Sequence, residues 1–123
     1  MRVKNKKAYY LKRKTIIEDN EGGKYEDFEK EGLEIKANIS PASGKLQAEI
    51  YGERLNYILN MLYDGPYKVI VKDNITLYVV NDIELCEGYG ICVYVSKESE
   101  PDYKIISIKR YSHLVIELEK KHE

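Results

Sequence analysis

The sequence predicts a mainly β domain: a small closed or strongly curled antiparallel β-barrel, with one short helix inserted after the strand Leu33–Ile39. Three observations carry this prediction. Short runs rich in Val, Ile, Leu and Tyr recur along the chain, each bounded by Gly, Pro, Asn or Asp. The run Leu33, Ile35, Ala37, Ile39 alternates cleanly with Glu34, Lys36 and Asn38, the period of a strand with one buried face. The turn signals come at the regular spacing of small all-β domains, and closing or curling the sheet removes exposed strand edges.

The elements follow in order. Residues 1–8 are basic and read as a flexible arm. Ala8 to Ile17 reads as one strand, mainly for its β-branched end, because its alternation is poor. Asp19 to Gly23 is a turn, where Asn and Gly tolerate positive φ. Tyr25 to Gly32 is acidic and reads as an irregular return anchored by Tyr25 and Phe28. The Leu33–Ile39 strand ends at Pro41, which cannot donate to a ladder. Ser43 is placed to cap a helix of about two turns over Lys45 to Tyr51, with Gly52 at its end. So short a helix needs docking to persist.

Leu55 to Tyr63 fits two patterns. Leu55, Ile58, Leu59 and Leu62 have helical spacing, whereas Leu55, Tyr57, Leu59, Met61 and Tyr63 alternate. The Asn56/Asn60 pair and the following Asp64-Gly65-Pro66 turn favour a strand. Tyr67 to Val71 and Ile75 to Val80 form a hairpin about Asp73-Asn74. After Asn81-Asp82 come Ile83 to Leu85, a break at Gly88-Tyr89-Gly90, and strands at Ile91 to Val95, Tyr103 to Arg110 and Leu114 to Leu118. Residues 119–123 are a charged tail. The absence of any linker, repeat or low-complexity tract makes 1–123 one domain.

Composition narrows the function classes. Hydrophobic residues make up 43% and charged residues 33%, a globular balance. The net charge of −1 gives no global footprint for nucleic acid, so such binding would need a local patch. Twelve tyrosines suit half-buried strand faces and also protein interfaces. Cys86 and Cys92, with only His113 and His122 to help, do not make a zinc pattern, and Cys92 reads as a small core residue. Gly88-Tyr89-Gly90 lacks the third glycine of a dinucleotide loop. Ser112-His113 with Glu117 is adjacency in sequence, not a triad. No apolar run reaches the length of a membrane span. The expectation is therefore a non-enzymatic protein with no cofactor, no metal and no membrane.

The stretch from Ala37 to Asp64 carries a family resemblance. Ala37, Ile39, Pro41, Ser43 and Gly44, then Glu49, then Tyr63 and Asp64, resemble the pattern of small head–tail joining proteins of phages and prophages, the adaptors and stoppers of the neck. The segment Lys14-Thr15-Ile16-Ile17, the Gly22-Gly23 turn, Tyr25 and Phe28, and the hairpin Val69 to Val80 fit the same pattern. The resemblance implies a structural subunit that forms a ring, joins the portal and head to the tail, and continues the DNA channel. Its implied partners are other copies of itself, in a ring matching the twelve-fold portal, together with a portal or adaptor protein and a tail completion protein. DNA would be held at most non-specifically. The implied location is the virion neck, after assembly in the bacterial cytoplasm. The candidate contact residues are Ser43, Lys45, Gln47, Glu49, Ile50 and Tyr51, and the candidate portal- or channel-facing arm holds Arg2, Lys4, Lys6 and Lys7. Adaptor, stopper and tail-side connector all remain open as neck positions. The alternative reading is a small cytosolic ligand-binding or regulatory β-domain.

Overall fold

The computed structural model describes residues 6–18, 20–42 and 44–121, with the backbone alone for 15–18 and 24–26. Eleven strands run in chain order: β1 Lys7–Lys12, β2 Lys14–Glu18, β3 Lys24–Phe28, β4 Leu33–Pro41, β5 Ile58–Tyr63, β6 Lys68–Lys72, β7 Ile75–Val80, β8 Ile83–Leu85, β9 Gly90–Cys92, β10 Tyr103–Arg110 and β11 Leu114–Lys120. Helix α1, Lys45–Tyr51, and a 3-10 segment, Gly52–Tyr57, lie between β4 and β5. Six strands close an antiparallel barrel in the order β1-β4-β5-β11-β10-β9. Two smaller sheets leave it: the hairpin β2-β3 and the three-stranded β6-β7-β8.

Period-two alternation fills the barrel. Ile35 and Ala37 of β4, Leu59, Met61 and Tyr63 of β5, and Leu114, Ile116 and Leu118 of β11 are all buried. They meet Leu11, Ile91, Tyr103, Ile105 and Ile108 in one cluster. Burying side chains of this size contributes roughly 1.5–3 kcal/mol each, which makes this cluster the main source of cohesion. The register of β11 on β5, from Leu114↔Tyr63 to Glu119↔Ile58, sets every inward residue opposite another.

The closing seam joins β1 to β9 through Tyr10↔Cys92, Leu11↔Ile91 and Lys12↔Gly90. Side chains crowd the strand here. A Cβ on Gly90 would stand 2.6 Å from Cβ of Pro101 and 3.1 Å from the Phe28 ring. Beside it the buried Lys12 side chain donates from Nζ to the carbonyl of Lys30.

Four strand assignments differ from the sequence reading. Ala8 to Ile17 is two strands, not one. The Arg13 carbonyl accepts from Glu29 N at 2.8 Å and its guanidinium reaches Glu29 Oε2 at 3.0 Å, so the chain turns out of the barrel there. The return after the Gly22-Gly23 turn is a strand rather than irregular, because β3 pairs with β2 over five residues from Lys14↔Phe28 to Glu18↔Lys24. Backbone pairing needs no apolar side chains, which is why an acidic run conceals it. The alternating run at Leu55 becomes a strand only at Ile58, where pairing to β11 begins. Ile91 to Val95 is a strand only as far as Cys92. The Asp102 carboxylate accepts from the N–H groups of Val93 at 2.8 Å and Tyr94 at 3.0 Å, which withdraws them from the ladder.

The hairpin turn at Asp73-Asn74 holds, Asn81-Asp82 makes a second, and Asp19 of the Asp19 to Gly23 turn lies outside the described residues. Asp73 and Asn74 have φ of 53° and 65°, and Asn81 and Asp82 have 47° and 64°. Both pairs are two-residue hairpin loops with positive φ at both central positions, which Asn and Asp tolerate. Cys92 is buried and both cysteines are free thiols, each pushed up by burial.

Candidate functional site

The insertion between β4 and β5 is an excursion closed at its base, where Pro41 pairs with Leu59 and Ala42 N donates to Ile58 O at 3.1 Å. Gly44 occupies the N-cap position of α1 without a side-chain hydrogen bond. Gly52, at φ 57° and ψ −126°, ends the helix in a conformation that only glycine adopts readily. The excursion folds back over the outer wall of β5 and β11.

Its contact with that wall is polar. No residue of α1 is buried. Gln47 Nε2 donates to Glu117 Oε2 and to Asn60 Oδ1, both at 2.8 Å, and Asn60 Nδ2 returns a bond to Gln47 Oε1 at 3.1 Å. Lys109 Nζ lies 3.1 Å from Glu117 Oε1. Tyr51, one helical turn after Gln47, stands close enough to Glu117 to feel its charge. The Glu117 side chain is fully excluded from solvent. Burial pushes its carboxyl upward, but the neighbouring Gln47, Lys109 and Tyr51 outweigh that and hold it below its ordinary value. Desolvation and the neighbouring Glu117 charge push the Tyr51 phenol up to about 12.

A second clamp lies one turn further on. Arg54 grips Glu119 with two bonds, Nε at 2.7 Å and Nη2 at 2.8 Å, and stacks 5.4 Å above the Tyr51 ring. With its polar side chains turned inward, the helix shows Leu46 and Ile50 to solvent, 66% and 56% exposed. This reverses the usual amphipathic arrangement, in which the apolar stripe faces the core.

The predicted contact residues therefore divide. Gln47 and Tyr51 hold the helix to the barrel. Lys45, Glu49 and Ile50 are exposed. Ser43 lies outside the described residues, as do Arg2 and Lys4 of the basic arm. Lys6 pairs with Asp64 at 2.7 Å, and Lys7 is already in β1 opposite Ala37, so both belong to the barrel rather than to an arm. The charged tail likewise begins inside β11, where Lys120 pairs with Tyr103.

Sequence reasoning missed Glu117, Asn60, Lys109 and the Arg54–Glu119 clamp. The one available signal was an acid set in the apolar run Leu114 to Leu118. Also unforeseen is a cleft edged by Lys14, Lys104, Lys120 and Lys121, together with Asp27 and Glu119, around the Phe28 ring. Lys121 Nζ stands 4.6 Å over that ring. Among the described residues no group of three metal-ligating side chains converges, and no helix is long and apolar enough to cross a membrane. Compared with protein-family models, curated proteins and solved structures, the chain matches none.

Proposed function

We propose that this chain is a non-enzymatic structural subunit of the neck of a phage or phage-like particle. Copies would form a ring that joins the portal and head to the tail and continues the DNA channel. The resemblance over Ala37 to Asp64 motivates this reading. The observation that carries it is the helix α1, bolted to the barrel by polar side chains and turning Leu46 and Ile50 outward. A rigid element with an apolar outer face is suited to a neighbour in an assembly. In this reading Leu46 and Ile50 are the anchors, Lys45 and Glu49 form their rim, and Gln47 and Tyr51 set the helix angle. The ring would match the twelve-fold portal, with a portal or adaptor protein on one side and a tail completion protein on the other. The lysines around Phe28 would meet DNA phosphates without reading bases.

The alternative, a ligand-binding or regulatory β-domain, calls for a concave apolar pocket. The barrel interior is instead packed with Leu11, Met61, Ile105, Ile116 and Leu118. Electron microscopy of the protein mixed with portal and tail completion proteins tests the neck reading. Rings are expected with the native chain and not with the Leu46→Glu/Ile50→Glu double variant. Absence of ring association under every assembly condition would overturn it. A monomer in isolation would not, since a ring subunit can wait for its template.

A further inference from the structure

We propose that the open edge of β6 receives an extended segment of a partner protein, one with an apolar centre flanked by acidic residues four positions apart. The proposal does not depend on the neck reading. It rests on the three-stranded sheet, where β6 lies at the end of the order β6-β7-β8 and pairs with β7 alone among the described strands.

The register shows which backbone groups that edge offers. The two-residue turn at Asp73-Asn74 makes Lys72↔Ile75 a hydrogen-bonded pair, and alternation then bonds Ile70↔Leu77 and Lys68↔Val79. Val69↔Tyr78 and Val71↔Thr76 are the non-bonded pairs. The N–H and C=O of Val69 and Val71 therefore point away from β7, toward the open edge. The side chains beside them are apolar on both faces. Val71 is 70% exposed, Ile70 41%, and Ile75 across the turn 51%.

Such an edge invites strand addition. Its lysines decide what can be added. Lys68 and Lys72 stand on one face, four residues apart, with Ile70 between them, and both are exposed. The run Lys-Val-Ile-Val-Lys reads the same in both directions. Antiparallel self-pairing about Ile70 would set each copy's Lys68 against the other's Lys72, and like charges directly opposite are unfavourable. An incoming strand with acids at those two positions and apolar residues between them meets both lysines and both valines. Main-chain bonds supply the affinity and the lysines supply the selection.

The test uses the full chain and two short fluorescent synthetic peptides, one with a Glu-Val-Val-Val-Glu core and one with a Lys-Val-Val-Val-Lys core, read by anisotropy. The acidic peptide is expected to bind and the basic one to bind at least about tenfold more weakly. Val71→Pro removes an N–H from the open edge and none from the β6–β7 ladder, a placement edge strands tolerate. It is expected to weaken the acidic peptide about tenfold, the worth of one to two hydrogen bonds. Lys68→Glu/Lys72→Glu, at exposed positions that leave the fold intact, is expected to reverse the preference and stands if the proline variant unfolds. Equal binding of the two peptides, no binding of the acidic one, or no loss in a folded Val71→Pro would each overturn the proposal. So would a dimer abolished by Val71→Pro and untouched by the acidic peptide, since the edge would then serve a second copy. Leu46→Glu/Ile50→Glu should leave peptide binding unchanged, which separates this result from that of ring assembly.

Discussion

Glu117 stands on the outward-facing side of β11, between inward Ile116 and Leu118, where strand alternation assigns a residue to solvent. Its side chain is nevertheless fully covered. Apart from its place in an apolar run, nothing local in Leu114 to Lys120 announces this, because the cover comes from Gln47, seventy residues earlier. A buried carboxylate is costly unless its charge is compensated; here Gln47 donates to Oε2 and the Lys109 ammonium stands 3.1 Å from Oε1. Gln47→Ala should therefore cost about 1–3 kcal/mol by leaving Asn60 and Glu117 short of partners, measurable by urea unfolding. The pH dependence has a definite sign. A carboxyl held below its ordinary 4.5 in the folded state contributes stability above that pH and loses it as pH falls through the folded value. The stability advantage of the native chain over Glu117→Gln should thus be full at neutral pH and shrink below about pH 4.5. An advantage that held constant into acid would show that the carboxylate is not clamped.

Turns and apolar strands were legible at the scale of elements, whereas elements defined by a distant partner were not. Asp73-Asn74 declares its hairpin because few residues other than glycine accept its φ values, whereas Asn81-Asp82, of the same chemistry, could equally have continued the strand. The end of β9 at Cys92 depends on Asp102, and the strand character of β3 depends on β2, so neither shows in its own sequence. The helix was legible from Gly44 to Gly52, but its orientation was not. So short a helix called for docking, and polar clamps supply it while turning Leu46 and Ile50 outward. Ile50→Ala should accordingly change stability by no more than about 0.5 kcal/mol, as exposed positions do. Gly90→Ala should behave differently. The added Cβ meets Pro101, a rigid ring that cannot swing aside, and overpacking of this kind costs about 1–3 kcal/mol. Both variants can be ranked by thermal melting, and a larger loss for Ile50→Ala would contradict the exposed helix face.

For the molecule as a whole, regular spacing of turns pointed to a closed or curled sheet, and the barrel is closed. The strand order was beyond reach of local reading. Which strand neighbours which is decided by the common burial of residues far apart in sequence, such as Leu11, Met61, Ile91 and Leu118. The barrel has one shared core, so a cavity anywhere in it weakens the whole. Leu118→Ala should cost about 2–5 kcal/mol, and tyrosine fluorescence and circular dichroism should report the same unfolding midpoint. Separate midpoints would mean that the barrel and the β6-β7-β8 sheet unfold independently.

The seam between β1 and β9 also has a consequence for translation. β1 leaves the ribosome well before β9, so one of its edges waits for Gly90–Cys92, and β5 likewise waits for β11. At ~5–20 residues per second, that wait is on the order of several seconds. During that time the nascent chain carries unpaired strands that nothing local can satisfy. Those two waiting edges, at β1 and β5, are where a newly made copy is most open to pairing with another chain before the barrel closes.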